Sequence, residues 1–162
     1  MIVVLMGVCG CGKSTVGVAL ANTFGWTFLD ADDFHPEANV AKMATGVPLT
    51  DADRWPWLDR MVDELQAIER QGRHVVLACS ALRKIYRERL DRAGEIRWVY
   101  LKGDAATIEP RMALRRGHFM PSTLLASQFA TLEEPSDAIV IDISQPVAAQ
   151  AAQIAATLRS TV

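Results

Sequence analysis

The chain has 162 residues, half of them hydrophobic and 22% charged, with a formal net charge of −2. That is enough chain for one domain with a substantial core, and its balance is that of an ordinary globular protein. The charge gives no general attraction to nucleic acid or to an anionic membrane surface, so any affinity for phosphate has to come from local clusters.

The first element is the apolar run Ile2-Val3-Val4-Leu5-Met6. It is too short to span a bilayer and has no basic residues before it, so it reads as a buried strand and not as a signal peptide. The cytoplasm is therefore the expected compartment. Gly7-Val8-Cys9-Gly10-Cys11-Gly12-Lys13-Ser14 follows and fits the P-loop pattern G-x-x-x-x-G-K-[ST]. A helix is predicted over Lys13–Phe24. Strand, glycine-rich turn and helix N-terminus together make an anion cradle, in which backbone N–H groups and the positive end of the helix dipole converge on phosphate. Lys13 would reach the β- and γ-phosphates of a nucleoside triphosphate, and the Ser14 hydroxyl would ligate Mg²⁺.

Three cysteines, Cys9, Cys11 and Cys79, make no disulfide framework. Cys9 and Cys11 have no partner ligands nearby for a metal and read as small residues tolerated at variable loop positions. A thiol beside a helix N-terminus and a lysine can also have a lowered pKa and oxidise readily.

Further strands are predicted at Trp26–Leu29, His74–Cys79, Arg97–Leu101 and Ala138–Ile143. Most are continuous apolar runs, as expected when helices cover both faces of a parallel sheet. Helices are predicted over Asp51–Gln71, Leu82–Ala93, Ala105–Arg116, Pro121–Leu132 and Pro146–Leu158, with Gly25, Gly72, Gly94 and Gly103 as turn signals. The alternation predicts an α/β domain, whose ligands collect beyond the carboxyl ends of the strands.

Four polar segments fall on that rim: the P-loop, 30–36, 79–84 and 111–118, with Arg54 as a further candidate. Asp30, Asp32 and Asp33 follow the second strand; alternation puts Asp30 and Asp32 on one side, where they can serve Mg²⁺ and an acceptor hydroxyl, although an acidic loop can also simply cap the next helix. Arg54 offers a fork for a carboxylate or a phosphate, flanked by Trp55 and Trp57, which either wall a pocket or pack. Arg83 and Lys84 begin the helix after the third strand, where the dipole opposes cations unless an anion sits nearby. Arg111 and Arg115 share a helix face leading into Arg116, Gly117 and His118; a closing arginine would stabilise a transferring phosphoryl group, or the cluster complements a helix C-terminus. His118 is either a substrate contact or a surface group.

Together these pieces resemble one family, the small gluconokinases, P-loop kinases of the shikimate- and nucleoside-monophosphate-kinase type. The resemblance runs through Leu5-Met6-Gly7-Val8, Phe28-Leu29-Asp30-Ala31-Asp32 with His35-Pro36, Lys42-Met43, and Asp53-Arg54 with Pro56-Trp57-Leu58. It continues through Cys79-Ser80-Ala81-Leu82 with Tyr86-Arg87, Tyr100-Leu101-Lys102-Gly103, Gly117-His118-Phe119-Met120, and Ser127-Gln128-Phe129 with Leu132-Glu133. A P-loop alone is shared by many folds; the combination is far more specific.

The resemblance implies a single three-layer P-loop kinase domain over 1–162. Its five-stranded parallel sheet would run in the order 2-3-1-4-5, with helices on both faces and a short mobile lid at approximately 111–135. It implies ATP-dependent phosphorylation of D-gluconate at the 6-hydroxyl with Mg²⁺ as cofactor. Gly7, Val8, Cys9, Gly10, Cys11, Gly12, Lys13, Ser14 and Thr15 would then hold the nucleotide, and Arg111 would stack near adenine. By the same resemblance Asp32 is the favoured base at the acceptor hydroxyl, Asp30 organises Mg²⁺ through water beside Ser14, and Arg54 binds substrate. Arg115 reaches the transferring phosphate, with Lys13 and Asp32 completing the catalytic set. His35, Ser80, Arg83, Lys84, His118 and Gln128 are further candidates for sugar-acid contacts. Family members are commonly homodimers, but no helix here announces an interface. Serines often stand in the family where this chain has Cys9 and Cys11. The rival readings are a kinase for another small hydroxy acid or a nucleotide, and a P-loop switch with no acceptor pocket.

Overall fold

The run Ile2–Met6 forms strand β1, and no residue of it exceeds 1% exposure, as a continuous apolar strand at the centre of a sheet requires. In this computed structural model, which describes residues 1–114 and 122–161, β1 pairs in parallel with β3 (Val75–Ala78) on one side and β4 (Ile96–Lys102) on the other. Strand β2 (Thr27–Asp30) adds to β3, and β5 (Ile139–Asp142) adds to β4. The order is β2-β3-β1-β4-β5, all parallel, as the resemblance implied.

Alternation along β1 sends its side chains into two separate cores. Ile2, Val4 and Met6 pack with Leu58, Met61 and Leu65 of α3 (Asp51–Arg70) and with Leu90 of α4 (Lys84–Leu90). Val3 and Leu5 pack with Val16 and Leu20 of α1 (Lys13–Phe24) and with Ile154 and Leu158 of α7 (Val147–Ser160). The same second core receives Ile108 of α5 (Ala105–Ala113) and Leu125 of α6 (Ser122–Thr131). Each fully buried leucine is worth about 1.5–3 kcal/mol in removed apolar surface, so both faces hold the sheet rigid beneath its functional rim.

Register brings the functional segments to one level. Leu5 and Asp30 both stand opposite Ala78, so the P-loop, the turn after β2 and the Cys79-Ser80 segment leave the sheet side by side. Helix α3 starts with a capping box: the Thr50 hydroxyl accepts from the Asp53 N–H, and the Asp53 carboxylate accepts from the Thr50 N–H.

Beyond shifts of a few residues at element ends, the differences from the sequence expectations that bear on the site are these. A helix absent from those expectations, α2 (Glu37–Ala44), follows a 3₁₀ turn at Ala31–Phe34. It buries only Asn39 and leaves Val40 and Met43 exposed, so no apolar face announced it. Helix α4 begins at Lys84 instead of Leu82, because Ala81 takes a positive φ of 40° and Arg83 is extended as N-cap. Helix α5 is described to Ala113 with Leu114 as its C-cap, and Arg115, Arg116 and His118 lie outside the described residues. The expected lid is thus described only as the end of α5 and as α6.

Candidate active site

The loop between β1 and α1 is shaped by its glycines. Gly7 has φ 148°, and a Cβ there would stand 2.9 Å from the Leu101 carbonyl oxygen and 2.8 Å from Cys11 Sγ. Gly12 is the N-cap of α1 in the left-handed region, φ 95°, which turns the loop into the helix. No acidic residue occupies the first turn of α1, so its N-terminal amides and dipole are left for an anion. The Lys13 ammonium folds back onto its own loop, donating to the Gly7 and Val8 carbonyls at 3.0 and 3.1 Å.

Opposite Lys13, the Ser14 hydroxyl donates to Asp30 Oδ2 at 2.7 Å, and Asp30 Oδ1 accepts from the Asp32 N–H at 3.0 Å. Asp32 opens into the same cleft, a cavity of about 190 Å³ lined also by Cys9, Ser80 and Gln128. Burial, and next the charge of Asp30, raise the Asp32 carboxyl above the ordinary aspartate range, while His35 and Lys13 oppose the shift. A carboxyl so placed is suited to receive a proton.

The fit for Mg²⁺ follows from the donor set. Ser14 Oγ and the Asp30 carboxylate are adjacent hard oxygens. That suits Mg²⁺, which keeps several waters and is held by one or two protein oxygens together with substrate phosphates.

Trp57 does both things open to it from sequence. It is 7% exposed within the core, yet its ring lines the cleft and its indole N–H donates to the Ala31 carbonyl at 2.7 Å, fixing the turn that carries Asp32. The His35 imidazole stacks on it at 4.5 Å and 10°, and burial lowers the histidine pKa below its usual value. Asn39, which the sequence did not single out, ties α2 to this wall by donating to the Asp53 carbonyl at 2.9 Å.

Beyond Trp57 the arginines gather around one tyrosine. Arg54 and Arg83 stand over the Tyr86 ring at 5.4 and 5.6 Å, and the Tyr86 hydroxyl donates to Asp51 at 2.6 Å. Asp51 also pairs with Arg83 at 2.9 Å and with Arg54 at 3.6 Å. The Tyr86 hydrogen bond, then Arg83, hold its carboxyl below the usual range.

Lys84 does not join this group; its side chain is exposed and faces Glu88 at 3.7 Å. At the start of α4 the Glu133 carboxylate accepts from the Lys84 N–H at 2.7 Å. Gln128 reaches the P-loop instead of standing free, accepting from the Cys9 N–H at 2.6 Å.

A second cleft of about 280 Å³ lies across the P-loop, between Gly12, Thr15 and Arg111 and the segment Gln145-Pro146-Val147. Arg111 is anchored there by donating to the Ile143 carbonyl at 2.6 Å. Its position suits a nucleotide base; the facing segment carried no signal in the sequence beyond a proline at a helix start. The expectation of a depressed thiol pKa fails for Cys11. That residue is buried, and desolvation raises its pKa against the weaker pull of Lys13. Cys79 is likewise pushed up to about 12 by burial.

Comparison with known proteins gives the family. A family model described as an AAA domain matches residues 2–135. The thermoresistant gluconokinase of Escherichia coli is 44% identical, over 90% of this chain and 86% of its own length. The gluconokinase of Gluconobacter oxydans is 49% identical, over 83% of this chain and 76% of its own. The crystal structure of a gluconokinase from Sinorhizobium meliloti superposes with a TM-score of 0.83 at 40% identity, covering 98% of this chain and 95% of that one. With this sheet order, this P-loop and relatives of that similarity, the chain belongs to the gluconokinase family.

Proposed function

We propose that the protein transfers the γ-phosphoryl group of ATP to the 6-hydroxyl of D-gluconate, giving 6-phospho-D-gluconate and ADP. The observation that carries the reading is the shared cleft in which an anion-binding loop with Lys13 faces Asp32, a carboxyl of raised pKa. A nucleotide switch has no need of such an acceptor side.

In this reading the P-loop amides hold the phosphate chain and Lys13 exchanges its carbonyl partners for β- and γ-phosphate oxygens. Arg111 supports the base in the second cleft. Arg54, with Arg83 beside it, takes the gluconate carboxylate, since a guanidinium fork matches a carboxylate. His35, Ser80 and Gln128 are left for the hydroxyl row. Asp32 receives or orients the proton of the 6-hydroxyl as its oxygen bonds to phosphorus and the bond to the ADP oxygen breaks. Arg115, assigned from sequence alone, would steady the equatorial phosphoryl oxygens as the lid closes. Mg²⁺, held at Ser14 and through water at Asp30, would supply neutralisation of the β/γ charge. No described helix is long and apolar enough to cross a membrane; the cytoplasm, where ATP is supplied, is the compartment this reading takes.

The test is ADP release with MgATP against gluconate, shikimate, AMP and no acceptor. Release with gluconate, with 6-phosphogluconate as product, supports the assignment. Release with another acceptor keeps the mechanism and discards the substrate. Silence with all of them, despite tight ATP binding, favours a switch.

A further inference from the structure

Arg87 touches neither cleft, yet it is buried to 8% exposure, which is unusual for an arginine. No carboxylate pairs with it among the described residues. Its donors go instead to main-chain carbonyls: Nη1 to Ala81 at 2.9 Å and Leu82 at 3.2 Å, and Nη2 to Glu133 at 2.9 Å. A buried guanidinium that satisfies itself on carbonyls of two segments fixes the path of both.

Each segment leads to the P-loop. The first runs back from Leu82 through Ala81, the one described non-glycine residue with positive φ, to Ser80 in the cleft, whose carbonyl accepts from the Gly7 N–H at 3.3 Å. Backbone held in so sparsely populated a region persists only when its surroundings over-determine it. The second is the segment that follows α6. The Glu133 N–H donates to the Leu82 carbonyl at 2.8 Å, and five residues earlier Gln128 accepts from the Cys9 N–H.

We propose that Arg87 is a positioning residue for phosphoryl transfer: by clamping the Ala81-Leu82 turn to Glu133 it sets where Ser80 and Gln128 stand over the P-loop. It acts through those two residues and touches no ligand. The inference rests on the gluconate-kinase reading. Lysine does not reproduce the fork, because the Ala81 and Leu82 carbonyls and the Glu133 carbonyl are held by two different nitrogens, Nη1 and Nη2, where lysine has one.

The test uses the full chain with Arg87→Lys, Arg87→Met, Gln128→Ala and the Arg87→Lys/Gln128→Ala pair. Rates are measured with MgATP and gluconate well below each melting temperature. Both Arg87 variants should lose about tenfold or more in kcat/KM for gluconate while KM for ATP stays within about twofold. The effect of Gln128→Ala should be much smaller on the Arg87→Lys background than in the unsubstituted chain, the non-additivity of residues acting as one unit.

Unchanged turnover, losses shared equally by ATP and gluconate, or effects that multiply independently each overturn the proposal. Failure of both Arg87 variants to fold also overturns it, assigning Arg87 to the fold. An unsubstituted chain inactive toward gluconate removes the functional reading and this inference together; an active one with indifferent Arg87 variants removes only the inference.

Discussion

Asp30 joins the two halves of the site: one carboxylate oxygen holds the Ser14 hydroxyl at 2.7 Å, and the other caps the Asp32 N–H at 3.0 Å. The residue that would organise the metal also shapes the turn presenting the acceptor-side carboxyl, and its charge is the second cause raising that carboxyl's pKa. Asp30→Asn keeps an oxygen for the cap and removes the charge. The Mg²⁺ concentration for half-maximal rate should rise roughly 10–100-fold, the usual cost of losing a supporting ligand. In the same variant the acidic limb of the kcat/KM profile should move to lower pH, since Asp32 loses a repulsive neighbour. Mg²⁺ titrations at several pH values measure both, and an unmoved acidic limb would contradict the coupling.

Asp32→Asn should separate activity from stability. Turnover falls by roughly 10²–10⁴, the range for a positioned acid–base group. The folded-state pKa of Asp32 is raised, so its ionised form is disfavoured in the fold relative to the unfolded chain. Below the unfolded value of 3.8 both states are protonated and nothing is lost; above the folded pKa both are ionised and the penalty is complete. The variant should therefore melt higher than the unsubstituted chain at pH 7, with the gain disappearing at about pH 3. Thermal melts across that window check the sign, and a lower melting temperature at pH 7 would refute it.

These two aspartates were legible in the sequence because strand alternation and the rim of a parallel sheet are local rules. The five strands were legible for the same reason, each being a short apolar run. What escaped was non-local. Helix α2 buries a single polar residue, Asn39, whose partner is the Asp53 carbonyl fourteen positions on. The Lys84 N–H at the start of α4 is capped by Glu133, 49 positions on, and the Gln128 contact to Cys9 spans 119 positions. Arg83 and Lys84 looked equivalent as neighbours, but an extended N-cap sends Arg83 to Asp51 and Lys84 outward to Glu88.

Arg54 stands over Tyr86 with Asp51 beside it, a preset geometry for a planar anion. Arg54→Ala should raise KM for gluconate about 10–100-fold, the span of a hydrogen bond to a charged group, and leave KM for ATP nearly unchanged. Steady-state kinetics with each substrate varied in turn distinguishes this from a nucleotide-side role. A defect confined to ATP would reassign the residue.

The three thiols should respond differently to alkylation. Cys11 and Cys79 are buried, and desolvation raises both pKa values, that of Cys79 to about 12, so neither presents a thiolate at pH 8. Cys9 is partly exposed and lines the cleft between the P-loop and Gln128. Iodoacetamide at pH 8 should therefore label Cys9 alone, and MgATP should slow that labelling because phosphates in the cradle close the approach to it. Peptide mass mapping reads the site, and residual activity read in parallel should fall in step with modification at Cys9. Early labelling of Cys11 would mean that the loop opens in solution, since a buried thiol 3.9 Å from the Lys13 ammonium reacts only when that packing is released.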